Sequence, residues 1–149
     1  MLTFRPAIDS DVPELEALVT AAFEVYVPRI GRRPAPMTAD YPALVSAEQV
    51  WVAVQDGAIL GLLVLVPAVD HLYLDTIAVH PDAQGSGVGR RLMDLAETEA
   101  RRHDLPAVVL CTNETMVENL AYYPRRGYEQ SHRIEQDGFH RVFFRKSLA

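Results

Sequence analysis

Between Leu72 and His103 the chain must change local structure sharply around Gln84-Gly85-Ser86-Gly87-Val88-Gly89. Leu72-Tyr73-Leu74-Asp75-Thr76-Ile77-Ala78-Val79 is rich in β-branched and aromatic residues and predicts a strand, which Pro81 ends. Val88, Leu92, Leu95 and Ala96 recur at helical spacing, so a helix begins near Gly87. Three glycines in five residues allow positive φ angles and close approach of another molecule. The first N–H groups of a helix lack partners within it and carry partial positive charge, so this turn predicts a phosphate site with the Gln84 amide at its mouth. A dinucleotide fingerprint needs glycine where Arg90 stands, and a Walker loop needs Gly-Lys-Ser/Thr where the chain has Gly89-Arg90-Arg91, so neither is indicated.

Leu2–Ile8 reads as an early or edge strand, because Pro6 argues against a central one. Asp11 and Glu14 have capping-box spacing ahead of the stripe Val12, Leu15, Leu18, Val19, Ala22 and Phe23, which predicts a helix. Tyr26–Met37 holds three prolines, one glycine and three arginines and reads as a loop. A short helix over Tyr41–Ala47 precedes a strand over Gln49–Gln55, a hairpin turn at Asp56-Gly57 and a returning strand over Ala58–Val66. Ala107–Thr112 predicts a buried strand, and Thr115 with Glu118 a second capping box opening the helix that carries Tyr123. Tyr128–Glu135 and Phe139–Lys146 read as strands joined at Gln136-Asp137-Gly138. The expected fold class is α/β (α+β): a mixed, twisted sheet of about seven strands with about four helices on both faces, in one domain over residues 1–149.

Nearly half of the 149 residues are hydrophobic, which provides for a core and argues against disorder. No run of about 18 apolar residues would span a membrane, and Met1–Pro6 lacks the apolar stretch of a signal peptide. The single cysteine, Cys111, excludes an internal disulfide, fits a reducing cytoplasm and reads as a small core residue. A net charge of −6 argues against a nucleic-acid partner and leaves room for a cationic substrate. The histidines are scattered without metal-ligand spacing, so no metal is expected.

The spacing Gln84-x-x-Gly87-x-Gly89 after Ile77-Ala78-Val79-His80-Pro81 resembles the pyrophosphate loop of the GNAT superfamily of acyl-CoA-dependent N-acetyltransferases. The order of predicted elements agrees from Leu2 to Leu148, and Asn119-Leu120-Ala121-Tyr122-Tyr123, closed by Gly127-Tyr128, stands where that family has its Asn/Tyr helix. The pattern is that of an uncharacterised bacterial member. The resemblance implies acetyl transfer from acetyl-CoA to a primary amine in a ternary complex. It leaves a protein or peptide acetyltransferase, or a non-catalytic acyl-CoA-binding module, as alternatives. The acceptor is expected to be a small molecule rather than a protein, and the chain a monomer or homodimer.

By that resemblance, the pyrophosphate meets the N–H groups of Gly85, Ser86, Gly87, Val88, Gly89 and Arg90, with Gln84 assisting. Arg90 is the nearest fixed cation, or simply a solvated helix residue. The pantetheine arm pairs with the backbones of Ile77, Ala78 and Val79, and an N–H near Ile77 faces the thioester carbonyl. Asn119 bonds the pantetheine. Tyr123 is the acid that reprotonates the thiolate, with neighbouring Tyr122 packing. Many family members have glutamate in the strand before the loop; here the acid is Asp75, either the base, acting through water, or half of an ion pair with an arginine. Strand alternation places Tyr73, Asp75 and Ile77 on one face. Pro124 departs from the family pattern and predicts that the helix ends or kinks at Tyr123. Tyr26, Arg29, Ile30, Arg32, Arg33, Met37, Tyr41, His132, Glu135, Phe139 and His140 occupy the regions that set specificity in the family.

Overall fold

A computed structural model describes residues 1–148. The chain runs β1 (Thr3–Pro6), α1 (Val12–Phe23), α2 (Val27–Ile30), α3 (Tyr41–Ser46), β2 (Val50–Gln55), β3 (Ala58–Pro67), β4 (Leu72–Val79), α4 (Val88–Arg102), β5 (Ala107–Asn113), α5 (Val117–Arg125), β6 (Glu129–Gln136) and β7 (Phe139–Ser147). Tight helical turns lie at Glu24–Tyr26 and Ala35–Thr38. The seven strands form one sheet in the order β1-β2-β3-β4-β5-β7-β6, in which only β4 and β5 are parallel. This is the mixed sheet expected from the sequence.

Two apolar clusters mark the two faces. Leu63, Leu65, Leu72, Leu74, Val108, Leu110, Val142 and Phe144 pack under α4 and Tyr123 of α5. Val50, Val52, Leu62, Val64 and Ala78 pack under α1 and α3. Glu97 of α4 is buried, yet accepts from Lys146 Nζ of β7 at 3.0 and 3.1 Å, so its charge is paired and ties the helix to the sheet.

Local details differ from the sequence reading where distant partners win. Asp11 and Glu14 form no reciprocal capping box. Arg5 holds Asp11 through two bonds of 2.7 and 3.1 Å, while Glu14 accepts from the Ile59 N–H at 2.8 Å. Thr115 likewise caps nothing: its N–H and hydroxyl donate to Asn113 Oδ1, and α5 starts after Met116. Tyr26–Met37 is not an irregular loop but a series of short helical turns, because Pro28 and Pro36 sit in first turns, where a missing N–H costs nothing. Pro124 does not stop α5 at Tyr123. It occupies the last turn, followed by Gly127 at φ +93°, with Tyr128 N–H donating to Tyr123 O and Gly127 N–H to Pro124 O. That pair of bonds is a Schellman cap, which accommodates the proline.

At Gly61 of β3 the sheet meets α4 closely. An added Cβ would lie 3.0 Å from both Ala78 O and Leu92 Cδ1, and 3.2 Å from Val88 Cγ1. Gly61→Ala is expected to destabilise the fold by about 1–3 kcal/mol through overpacking. Urea unfolding would show it as a lower midpoint with unchanged slope; an unchanged midpoint would mean that α4 gives way freely.

Candidate active site

β4 and β5 pair over only three positions, Leu72–Val108, Tyr73–Val109 and Leu74–Leu110. Beyond them the strands separate, and the gap opens through the sheet. On its other edge β4 stays paired with β3, but the register moves from Leu65–Leu74 to Val64–Thr76, leaving Asp75 as an extra, bulged residue. The bulge reverses the alternation. Leu72 and Leu74 before it, and Ile77 and Val79 after it, pack on the α4 side, whereas Ala78 packs on the α1 side. Tyr73 and Asp75 therefore share the α1 side, and Ile77 lies across the sheet from them, contrary to the simple alternation expected.

The bonding direction of β4 follows from His80, whose N–H donates to Leu60 O at 2.8 Å. Backbone groups alternate in direction along a strand, so Ala78 also points to β3, while Ile77 and Val79 point into the gap. The expectation for Ala78 is corrected here: it lines the cleft, but its backbone is turned toward β3. The Gln84 amide folds back to donate to Val79 O at 3.3 Å.

Gly85 and Gly87 take φ values of +83° and +93°, while Gly89 lies within α4. An added Cβ at Gly85 would meet nothing within 4 Å. Ser86 N–H donates to Ala83 O, but the N–H groups of Gly85, Gly87, Val88, Gly89 and Arg90 have no backbone acceptor. A loop with open space and free donors suits a pyrophosphate. The Val88 side chain is core, so only its N–H is on offer; Arg90 is exposed beside the loop. Asn119 and Tyr122 close a depression over this loop. Asn119 Nδ2 donates to Thr112 Oγ1 at 3.1 Å, which fixes its amide.

A cavity of about 450 Å3 runs from Val79 and Gly89 through the gap to the α1 side. Tyr122 and Tyr123 both line it, but differ in setting. Tyr123 is 6% exposed and packed edge-on against Tyr122 and Tyr128. Burial pushes its hydroxyl far up, and the neighbouring Tyr122, Cys111 and Tyr26 push in the same direction. Cys111 and Tyr26 line the same cavity. Tyr122 is half-buried and reaches both the cavity and the glycine loop.

On the α1 side Tyr73 Oη lies 3.2 Å from Cys111 Sγ, and burial raises both groups, keeping them protonated. Cys111 is thus a wall of the cavity as well as a packing residue. Asp75 is solvent-accessible, but the crowded walls desolvate its carboxyl and raise its pKa, with the Arg141 guanidinium and the Thr76 hydroxyl opposing. Among the described residues it forms no salt bridge, Arg141 acting on it only at longer range, so the ion-pair alternative for Asp75 is not realised there.

The segment from Ala22 to Ala39 roofs this side. Of the eleven residues in the regions that set specificity in the family, Tyr26, Ile30 and Phe139 line the cavity. Arg29 instead bonds Glu118 of α5 at 2.6 Å, Arg32 bonds Asp137 O at 2.8 Å and stacks on Phe139, and the Tyr41 hydroxyl donates to Pro36 O at 2.6 Å. These side chains fasten the roof. The sequence reading passed over Phe23, Tyr73 and Arg141, which do line the cavity. The only available signal was that Tyr73 shares a strand with Asp75. Among the described residues no cluster of His, Cys, Asp or Glu is placed to hold a metal, and no helix is long and apolar enough to cross a membrane.

A carboxyl whose folded pKa is raised contributes stability that is present below its unfolded pKa and is lost as pH rises through the folded value. For Asp75 that window opens near 3.8 and extends upward. Asp75→Asn is therefore expected to be more stable than the parent at pH 7, with the difference vanishing toward pH 3.5. Melting midpoints of the pair across pH would check this; an asparagine variant less stable at pH 7 would mean that Asp75 is held by partners rather than strained by desolvation.

The sequence matches the acetyltransferase (GNAT) family over residues 13–128. The comparison with curated proteins found no match. Solved structures share the fold at low identity. An N-acetyltransferase from Thermoplasma acidophilum, in complex with coenzyme A, superposes with a TM-score of 0.82 at 13% identity, covering 99% of each chain. A ribosomal-protein alanine N-acetyltransferase from Escherichia coli gives 0.77 at 17% identity, covering 100% of this chain and 95% of the other. A GNAT-family acetyltransferase from Listeria monocytogenes gives 0.77 at 17%, covering 99% and 95%. With the family matched across most of its length, on a seven-stranded sheet parted at β4 and β5, this chain belongs to the GNAT family of acetyltransferases.

Proposed function

We propose that the protein transfers an acetyl group from acetyl-CoA to a primary amine of a small molecule, by direct attack within a ternary complex. The observation that carries this reading is the two-sided cleft. One mouth offers free loop N–H groups and the outward backbone of Ile77 and Val79, and the other offers a desolvated carboxylate under an apolar roof. Acetyl-CoA bound there would supply the activated acyl group as a thioester. A coenzyme-A complex of a structural neighbour supports the same use of the fold here.

The N–H groups of Gly85, Gly87, Val88, Gly89 and Arg90 hold the pyrophosphate, that of Ser86 being spent on Ala83 O, and the Ile77 N–H polarises the acyl carbonyl. An amine acceptor arrives mostly protonated, because alkyl amines titrate near pH 10. Asp75, raised by desolvation, is a stronger base than an ordinary aspartate and takes that proton, through water or directly. Tyr123, kept protonated by burial, donates to the departing sulfur and returns a proton to the thiolate, although burial makes it a weaker acid than a free phenol. The short-turn roof, pinned to α5 and to the β6–β7 hairpin, favours a small acceptor over a peptide laid across the surface.

Release of free thiol from acetyl-CoA with a panel of amines tests the reading, and binding of acetyl-CoA without release under any amine would reduce the protein to a binding module. Tyr123→Phe is expected to lower kcat by about 10- to 1000-fold with little change in acetyl-CoA affinity, and Tyr122→Phe to do little. The reverse order would transfer the donor role to Tyr122. Asp75→Asn should depress kcat/KM most at neutral pH and less at high pH, where amines lose their own protons. A pH-independent loss would remove Asp75 from proton transfer.

A further inference from the structure

Among the described residues lining the cavity, Asp75 is the only carboxylate and Arg141 the only cation. Arg141 forms no salt bridge with any described residue. Neutral groups hold it: Nη1 donates to Gln136 Oε1 at 2.8 Å, and the guanidinium lies 5.2 Å from the Phe139 ring centroid. The nearby roof arginines are committed, Arg29 to Glu118 and Arg32 to Asp137 O. Arg141 sits on β7 with its side chain on the same face as Cys111, since Val142 and Phe144 point to the α4 side and Leu110 does too. Asp75 shares that face. A guanidinium fixed by neutral partners in a partly enclosed cleft keeps its charge and most of its donors for a ligand. Between the two charges and the roof the walls are apolar, with Phe23, Tyr26 and Ile30.

We propose that the acceptor is a small amino acid with an apolar side chain: its amine lies beside Asp75, its carboxylate is gripped by Arg141, and its side chain packs under Phe23, Tyr26 and Ile30. The fate of the amine rests on the acetyl-transfer reading, but the carboxylate grip does not. The terminal amine of a protein would not satisfy Arg141, because its carboxyl is spent in a peptide bond. A ligand lacking the carboxylate leaves the guanidinium desolvated and unpaired, so the site discriminates against it.

Two matched pairs differ only in that carboxylate: L-leucine against 3-methylbutylamine, and L-phenylalanine against 2-phenylethylamine. Calorimetry on the protein saturated with coenzyme A is expected to show the amino acid of at least one pair binding about 10- to 100-fold tighter than its amine. Arg141→Met should erase that difference while coenzyme A affinity and the unfolding midpoint hold, and Arg141→Lys, which keeps the charge without the fork, should retain part of it. Equal or absent binding of both members in both pairs, or an equal loss of both in Arg141→Met, overturns the proposal. Thiol release separates the two readings. Carboxylate-dependent binding with no release under any amine sinks acetyl transfer and leaves the grip standing. Release with the plain amines as fast as with the amino acids sinks the grip and leaves acetyl transfer.

Discussion

β4 and β5 hold together through three residue pairs and then part, and each element of the cleft depends on that parting. A sheet that stayed zipped would spend the backbone groups of Ile77 and Val79 on β5. Parted, it turns them toward the gap and lets one cavity reach both faces. The bulge at Asp75 completes the arrangement, because one extra residue leaves the carboxylate with Tyr73 on the α1 face and moves Ile77 to the α4 face. The glycine loop follows within six residues of Val79, so the strand that opens the gap also delivers the donors at its mouth.

The charges of the cleft are arranged by what is kept from water. Tyr26, Tyr73 and Tyr123 of its walls are pushed upward by burial and stay neutral. Asp75 is the one carboxylate in the cavity, and its desolvation is opposed chiefly by Arg141. Removing water raises the cost of an unpaired charge and strengthens any partner that arrives. The same cleft therefore disfavours the lone Asp75 charge and would favour the zwitterionic ligand proposed above.

Much of this was legible in the sequence. The glycine spacing and the helical periodicity after it located α4, and the β-branched and aromatic run Leu72–Val79, ended by Pro81, located β4 to the residue. The bulge was missed, although the adjacent polar pair Asp75-Thr76 interrupts the apolar pattern there; pairing with β3 shows that one residue is extra. Both capping boxes failed for a related reason. Local spacing offered Asp11 and Thr115 a helix end, but Arg5 and Asn113 offered stronger partners. Arg141 was invisible among the basic residues of Phe139–Lys146, since which arginines face a cavity and lack an acid is decided by the β5–β7 register and by the side chains opposite. The short helix at Val27–Ile30 was hidden by prolines that read as loop markers but occupy first turns.

The parted length of β4 is a strand edge in the interior of a sheet. Edges at a sheet's margin invite other chains to pair, with aggregation as the hazard. This one is flanked by β5 on one side, with residues of α5 and of the arginine-pinned roof lining the cavity around it. A thin, flexible chain carrying amide groups can still thread it. The unpaired backbone edge is thus kept inside a walled cavity, away from the sheet margin where neighbouring chains pair.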